Sequence, residues 1–229
     1  MITRALPTTL LAAFATLGLG SCAGLFTKDS QGPGLVDDFL VRIERVHVET
    51  ELSREGVRDA VDLLLELADP QTQSDPVNAF ARFEASIEEA EDRQKDMRKA
   101  VKSMRKQSGP FFDRWASDLM AFSNTEMRLR SQERLLATKE RYESIEAALD
   151  PVEESYDACL ALLRDVSLFL GNDLNAASVA AIETEIRYLT SQATELDGDL
   201  QSCLSACRAY VENAALPVPA AGDASRDDG

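Results

Sequence analysis

Apolar residues recur within four long segments of this chain at strictly alternating steps of three and four, starting with Val36, Phe39, Ile43 and Val46. This spacing is typical of the buried seam of a coiled coil, and no two-residue alternation of the kind found in strands competes with it. Low glycine content and abundant Ala, Leu, Glu and Arg also favour helix. The pattern predicts four long helices, at residues 35–68, 77–122, 124–170 and 175–214.

The breaks between these segments have local causes. Asp69–Pro70 and Asp75–Pro76 bracket the first loop. Ser123 can cap the third helix, because Glu126 follows three residues later as in a capping box. Gly171–Asn172 is a typical helix end. The sequence therefore predicts short connections and antiparallel neighbours.

Helices of this length predict an all-α fold, an elongated antiparallel four-helix bundle or coiled coil with left-handed supercoiling. Pro110 and Pro151 lie inside the predicted helices, and the heptad phase continues through both, so we expect kinks rather than helix ends. Polar residues also occupy the seam, where they lower stability and can fix the register. These polar seam positions are Thr50, Ser53, Gln94, Ser108 and Thr138.

The N-terminus has the features of a secretory signal. Residues 1–21 contain one basic residue, no acidic residue and an apolar run that is short for a membrane-spanning helix. Leu19, Gly20 and Ser21 precede Cys22, which resembles the lipobox of bacterial lipoproteins. That resemblance implies diacylglycerol on the Cys22 sulfur and cleavage just before it. The alternative is an ordinary signal with a chance cysteine.

The predicted organisation has four parts. Residues 1–21 form the signal peptide, 22–34 the lipidated cysteine with a flexible tether, 35–214 the helical coiled-coil domain and 215–229 a disordered acidic tail. The lipobox places the chain in the cell envelope, lipid-anchored and facing the periplasm. Because the cysteine is followed by Ala23 and not by aspartate, the enterobacterial sorting rule favours the outer membrane.

Charge is unevenly distributed along the chain, whose formal net charge is −16. This excess of acid argues against nucleic-acid binding, yet residues 93–141 carry thirteen Lys/Arg against six Asp/Glu. In an antiparallel bundle they surround the turn at Ser123, at the end where the tether emerges. They form a candidate surface for anionic lipid headgroups, or they only complement neighbouring helices. The basic set is Arg93, Lys95, Arg98, Lys99, Lys102, Arg105, Lys106, Arg114, Arg128, Arg130, Arg134, Lys139 and Arg141.

Three further cysteines, Cys159, Cys203 and Cys207, occupy seam positions, where small buried hydrophobes are the simplest interpretation. A tight turn near residue 172 would separate Cys159 and Cys203 by about 25 Å along the bundle, too far for a disulfide. Cys203 and Cys207 are the one local pair, and a bond between them would strain the helix.

Catalytic and metal-binding signatures are weak. Glu44 and His47 have the Glu-x-x-His spacing of di-iron bundles, but such sites need a second copy of the motif, and His47 is the only histidine. There is no nucleophile elbow, phosphate loop or Cys-x-x-Cys. We therefore expect no enzyme activity, no metal and no cofactor.

A family resemblance agrees with this interpretation. The run DRWASDLMAFSNTEMRLRSQERLLATKERYESIEAALDPV at residues 113–152, and LFLGNDLNAASVAAIETEI at 168–186, resemble the bacterial lipoproteins of domain-of-unknown-function family 2959. The resemblance implies a helical secreted lipoprotein and supplies no activity. We expect a structural, spacer or interaction module at the envelope; the alternative is a membrane-binding or membrane-shaping module that uses a basic face.

Overall fold

The fold is all-helical over residues 32–69 and 75–214, which are the residues that the computed structural model describes. This confirms the predicted fold class. None of the helices in this part of the chain combines the length and apolar character needed to cross a bilayer. The elements are α1 (Gly32–Ala68), α2 (Pro76–Asp118), a 3₁₀ turn (Leu119–Ala121), α3 (Thr125–Asn172), α4 (Ala176–Ala181) and α5 (Glu183–Ala214).

The core follows the heptad seam. Every seam position from Phe39 onward is buried or half-buried, and many, such as Ile43, Leu163 and Leu196, are fully inaccessible. Val36, at the start of α1, is the exception at 43% exposure. Because each fully buried aliphatic or aromatic side chain contributes about 1.5–3 kcal/mol, this seam is the main source of stability.

Neighbouring helices run antiparallel. In sequence-adjacent α1 and α2, the Arg42 guanidinium donates to Ser103 Oγ at 2.5 Å, and Ser53 Oγ donates to the Arg93 carbonyl at 3.0 Å. Residues late in one helix thus face residues early in the other. Each of α1 and α3 packs against both α2 and α5, so the long helices form a ring in the order α1, α2, α3, α5.

Two helix starts differ from the prediction. Asn124, not Ser123, caps α3, because its side chain accepts hydrogen bonds from the backbone amides of Glu126 and Met127 at 2.9 and 3.1 Å. Asparagine is as good an N-cap as serine and here has the extended backbone that the position requires. The predicted tether also ends earlier, since residues 32–34 already belong to α1; a proline in the first turn suits a helix start.

The connection between α3 and α5 is longer than predicted. α3 continues past Gly171 to Asn172, and Asn175 then caps the short helix α4. The predicted helix 175–214 is interrupted at Ile182. As a result Ser155 faces Asp199, at 3.1 Å, whereas a tight turn at 172 would place it opposite residue 190.

The helices continue through both internal prolines, Pro110 in α2 and Pro151 in α3, as the unbroken heptad phase predicted. Proline has no amide hydrogen, so one backbone hydrogen bond is missing at each position. Both prolines are exposed, where water can satisfy the carbonyl that loses its partner. The apolar packing of the seam before and after each proline stabilises the helix by more than the missing hydrogen bond destabilises it.

Candidate functional site

The predicted lipid attachment site lies outside the described residues. Cys22 and the cleavage motif Leu19, Gly20 and Ser21 all precede residue 32. Their assignment therefore stays a sequence-based prediction. The described part of the chain begins with α1 at Gly32. The segment that contains Cys22 therefore precedes the start of α1 in the sequence.

Most of the predicted basic set pairs with nearby acids. Arg98 lies 2.8 Å from Asp157 on α3, and Arg105 lies 2.7 Å from Glu146. Burial alone would raise the pKa of Asp157, but hydrogen bonds from Gln94 and Arg98 outweigh it and hold that pKa below its ordinary value. The eight members within 3.8 Å of an acidic side chain are Arg93, Lys95, Arg98, Lys99, Arg105, Arg114, Arg130 and Lys139.

The other five members have no ion pair among the described residues. Arg141 is half-buried and donates to Thr138 Oγ1 at 3.0 Å. The remaining four are exposed: Lys102, Lys106, Arg128 and Arg134. They occupy two helices, and a groove of about 350 Å³ between α2 and α3 brings Lys102 beside Asp150 and Glu153. The structure therefore intersperses the basic set with acids and does not gather it into one uniformly basic surface.

A buried polar layer joins three helices near the middle of the bundle. The Tyr156 hydroxyl on α3 lies 3.2 Å from the Ser53 carbonyl oxygen on α1 and 3.1 Å from the Ala90 carbonyl oxygen on α2. α1 and α2 approach closely here, because a Cβ added at Gly56 would be in van der Waals contact with the Ala90 Cα, at 3.4 Å. Burial raises the pKa of the Tyr156 phenol, so it remains a neutral donor. The layer positions helices and offers no access to a substrate.

Sequence reasoning identified Ser53 as a polar seam position but missed its partner. Tyr156 also lies on the seam and reads there as an ordinary aromatic core residue. The contact of Tyr156 could have been predicted from the small residues Ser53, Gly56 and Ala90, because small side chains on facing helices allow the two backbones to approach closely. A phenol hydroxyl buried at such a crossing needs an acceptor.

The three remaining cysteines are buried, as predicted, and all three are free thiols. Thr50 Oγ1 lies 3.8 Å from Cys203 Sγ, so this polar seam residue has a partner in α5. Burial raises the pKa of Cys159 to about 11, and the pKa of Cys207 is raised by its hydrogen bond with Cys203 and by burial. The same hydrogen bond lowers the pKa of Cys203, but that thiol is fully inaccessible. Burial therefore makes all three thiols small hydrophobes rather than nucleophiles.

Within residues 32–69 and 75–214 there is no group of three His, Cys, Asp or Glu side chains that could hold a metal ion. Glu44 and His47 instead line a shallow surface groove with Val48, Arg208 and Glu212. An open groove with one imidazole and no further converging ligand lacks the donor set of a transition-metal site.

The hairpin tip between α2 and α3 is the least covered part of the described chain. Phe39 of α1 stacks on Phe111, and it also contacts Tyr142 of α3 and Tyr210 of α5. α1 begins only two turns before Phe39 and α5 ends one turn after Tyr210. Consequently α3 extends roughly 20 Å beyond the end of α5. We call residues 115–137 the arm.

The arm contains the last four residues of α2, the 3₁₀ turn and the first thirteen residues of α3. Trp115 Nε1 donates to Ser131 Oγ at 3.0 Å and ties its two helices together. No side chain from residue 115 to residue 137 is fully buried, and the three-and-four apolar spacing is interrupted here, between Trp115 and Leu135. The arm therefore lacks the apolar seam that holds the long helices together elsewhere.

The sequence match agrees with these boundaries. The family described as Protein of unknown function (DUF2959) matches residues 32–214, from the first residue of α1 to the last residue of α5. No match was found among curated proteins, and none among solved structures. The family match covers most of the chain and all the described residues, arm included, and this chain therefore belongs to the DUF2959 family.

Proposed function

We propose that this chain is a lipid-anchored protein of the bacterial cell envelope, facing the periplasm, that acts without catalysis as a spacer or interaction module. The observation that carries the proposal is the composition of the interior. Long helices bury a continuous apolar seam along their length, while nearly all the charged side chains stay at the surface. Such an arrangement can hold two molecules a fixed distance apart and can present a surface to a binding partner. These are the tasks of a spacer and of an interaction module.

The anchor is supplied by Cys22. Two or three acyl chains give durable attachment, because each buried CH₂ contributes about 0.8 kcal/mol. Gly32 is ten positions after Cys22, a stretch that spans at most about 35 Å. α2 alone has 43 residues, or about 65 Å of helix. A bundle anchored at the start of α1 therefore reaches well beyond the headgroups.

Metabolic labelling with radioactive palmitate in a bacterial host tests the anchor. We expect label on the wild-type chain and recovery with membranes. The variant Cys22→Ser should lose the label, whereas the matched control Cys159→Ser, which changes a buried thiol, should keep it. A wild-type chain without label, or a Cys22→Ser chain that retains it, would overturn the proposal.

A second candidate function, binding to anionic lipid headgroups, is favoured by four exposed bases that form no ion pair within the described residues, Lys102, Lys106, Arg128 and Arg134. Each contributes about 1 kcal/mol near an anionic surface and less in salt. The full chain carrying Cys22→Ser should then sediment with phosphatidylglycerol vesicles and not with phosphatidylcholine vesicles. Changing the four bases to alanine should abolish sedimentation; unchanged sedimentation would exclude this function.

A further inference from the structure

We propose that residues 215–229, which follow α5, bind to the side of α3 that faces α5, with their aspartates paired to Arg130, Arg134 and Arg141. We call these three residues the arginine face. The inference goes beyond the proposed function and does not depend on the lipid anchor, because it concerns a contact within one chain.

The arginine face continues the surface of α3 that α5 covers. Ser155 Oγ lies 3.1 Å from Asp199 Oδ2 of α5, so the position of Ser155 faces α5. Arg141 and Arg134 lie two and three heptads before Ser155, and residues that share a heptad position lie along one side of a packed helix. Arg130 precedes Arg134 by one turn. All three arginines therefore lie on the α5 side of α3.

The last residue of α5 lies only at the edge of the arginine face. In the register that the contact between Ser155 and Asp199 sets, α5 ends opposite Glu140. The arginine at 141 is accordingly half-buried, whereas those at 134 and 130 are exposed. At 1.5 Å per residue, the arginine at 130 lies about 15 Å beyond the end of α5. Two of the three arginines therefore lie on a stretch of α3 that α5 does not reach.

The charges of the arginine face are poorly compensated. Arg141 donates to Thr138 Oγ1 of its own helix at 3.0 Å, and its Nε is shut off from water without an acceptor among the described residues. Neither Arg141 nor Arg134 forms an ion pair within the described part of the chain, and there Arg130 pairs only with Glu126, one turn away on α3. Because a half-buried cation without a counter-charge costs free energy, a carboxylate from another segment is favoured here.

Two other arginines with an unpaired Nε do have partners on a neighbouring helix. Arg42 of α1 donates to Ser103 of α2, and Arg98 of α2 donates to Asp157 of α3. Arg141 bonds within its own helix, although it lies at the boundary between α3 and α5. This contrast marks Arg141 as the arginine whose counter-charge the described helices do not supply.

The residues that follow α5 start beside the arginine face. Burial raises the pKa of the Tyr210 phenol, and the Arg141 guanidinium opposes that increase, because it lies close to the phenol. Ala214, the last residue of α5, lies one turn further along the chain. Because α5 runs antiparallel to α3, the axis of α5 extended past Ala214 runs along α3 toward Arg134 and Arg130.

Charge and length both fit this occupant. Residues 215–229 carry a net charge of −2 from three acids and one base: Asp223, Asp227, Asp228 and Arg226. The nine residues from 215 to 223 span at most about 30 Å when extended, about twice the distance from the end of α5 to Arg130. Attachment to α5 gives the segment an effective concentration on the order of millimolar at the arginine face. Individually weak ion pairs therefore suffice to hold it there.

Photo-cross-linking of the purified full chain carrying Cys22→Ser tests the contact. Benzoylphenylalanine replaces Ala137, which lies three residues after Arg134 and four before Arg141 and therefore beside both on the helix surface. We expect a cross-link to residues 215–229 of the same chain, located by peptide mass spectrometry, with no change in the mass of the chain.

Gln132 is the matched control position. It is exposed and lies two heptads before Glu146, which pairs with Arg105 of α2, so it lies on the side of α3 that faces α2. Benzoylphenylalanine at 132 should capture residues 215–229 about tenfold less than at 137. Equal capture at the two positions, no capture of this segment at 137, or capture of a second chain in its place would overturn the inference.

Charge reversal tests whether the arginines hold the segment. Changing the three aspartates of residues 215–229 to lysine should lower capture at residue 137 about tenfold. Adding Arg130→Glu with Arg134→Glu to that chain should restore capture. Both arginines are exposed, so helix content by circular dichroism should be unchanged.

Arg128→Glu is the matched control for this rescue. Arg128 is exposed and forms no ion pair within the described residues, but it lies on the side of α3 that faces α2, five turns before Glu146. Adding Arg128→Glu to the chain with the reversed aspartates should therefore restore nothing. Unchanged capture after the aspartates are reversed, failure of the double arginine reversal to restore it, or equal rescue by Arg128→Glu would contradict the proposal.

Discussion

The hydroxyl of Tyr156 on α3 lies 3.1 Å from the backbone carbonyl oxygen of Ala90 on α2. The same hydroxyl lies 3.2 Å from the carbonyl oxygen of Ser53 on α1. One phenol thus joins three helices at a point where Gly56 brings two of them close together. Because apolar seams tolerate sliding by a heptad, a polar contact of this kind gives the bundle a single register.

The variant Tyr156→Phe removes this contact and keeps the ring. We expect a loss of about 1 kcal/mol in the free energy of unfolding, since the net contribution of a buried hydrogen bond is of that order. Urea denaturation measures it. Tyr188→Phe is the control, because Tyr188 is 56% exposed and should change stability by less than about 0.5 kcal/mol. Equal stability of the two variants would show that the hydroxyl contributes nothing.

Glycine substitutions should separate close packing from helix propensity. Nothing lies within 4 Å of a Cβ added at Gly198 in α5, so Gly198→Ala should stabilise by about 0.5–1 kcal/mol. Gly56→Leu should destabilise by about 1–3 kcal/mol, because its side chain would enter the space between α1 and α2. Thermal denaturation should show midpoint shifts of opposite sign, and a stabilising Gly56→Leu would contradict the close approach.

Asp197 should make stability depend on pH. The hydrogen bond from Arg54 lowers the pKa of this carboxyl, and Arg58 assists. The folded state thus holds the Asp197 proton less tightly than the unfolded chain. The stabilisation is present above the unfolded pKa of about 3.9 and is lost as the pH falls through the folded value.

The variant Asp197→Asn should therefore cost about 1 kcal/mol at pH 7 and less at pH 2, since protonation of the wild-type carboxyl at low pH removes the same stabilisation. Urea denaturation at both pH values measures the difference. Asp165→Asn, at an exposed site on α3, is the control and should leave the difference between the two pH values unchanged. A cost for Asp197→Asn that is the same at pH 2 and pH 7 would argue against the ion pair.

The fold was predictable because its information is periodic. Ile43, Leu163 and Leu196 belong to separate segments, yet the same three-and-four spacing places each in the core. The connection after α3 was not predictable in this way. Asn175 and Ile182 define a short extra helix through capping and backbone geometry, which leave no mark on the heptad pattern.

The candidate site was less predictable, because it depends on which segments face each other. The count of bases along residues 93–141 did not show that Asp157 and Glu146 of α3 lie beside Arg98 and Arg105. The arm escaped prediction for the same reason. Its exposure follows from the register, because Phe39 lies against Phe111 and α1 therefore reaches only to the end of α2.

The buried thiols lead to the last prediction. With its pKa raised to about 11 by burial, Cys159 is ionised to only about one part in a thousand at pH 8, and the thiolate is the form that reacts. Cys203 and Cys207 are equally inaccessible.

In the full chain carrying Cys22→Ser, alkylation by iodoacetamide at pH 8 should therefore leave all three thiols unmodified until urea unfolds the protein. Adding Ser205→Cys, at an exposed position between them, should give one thiol that reacts at once. Rapid modification of Cys203 or Cys207 in the native protein would mean that α5 opens locally, whereas full protection would show that burial alone can keep these thiols reduced in an oxidising compartment.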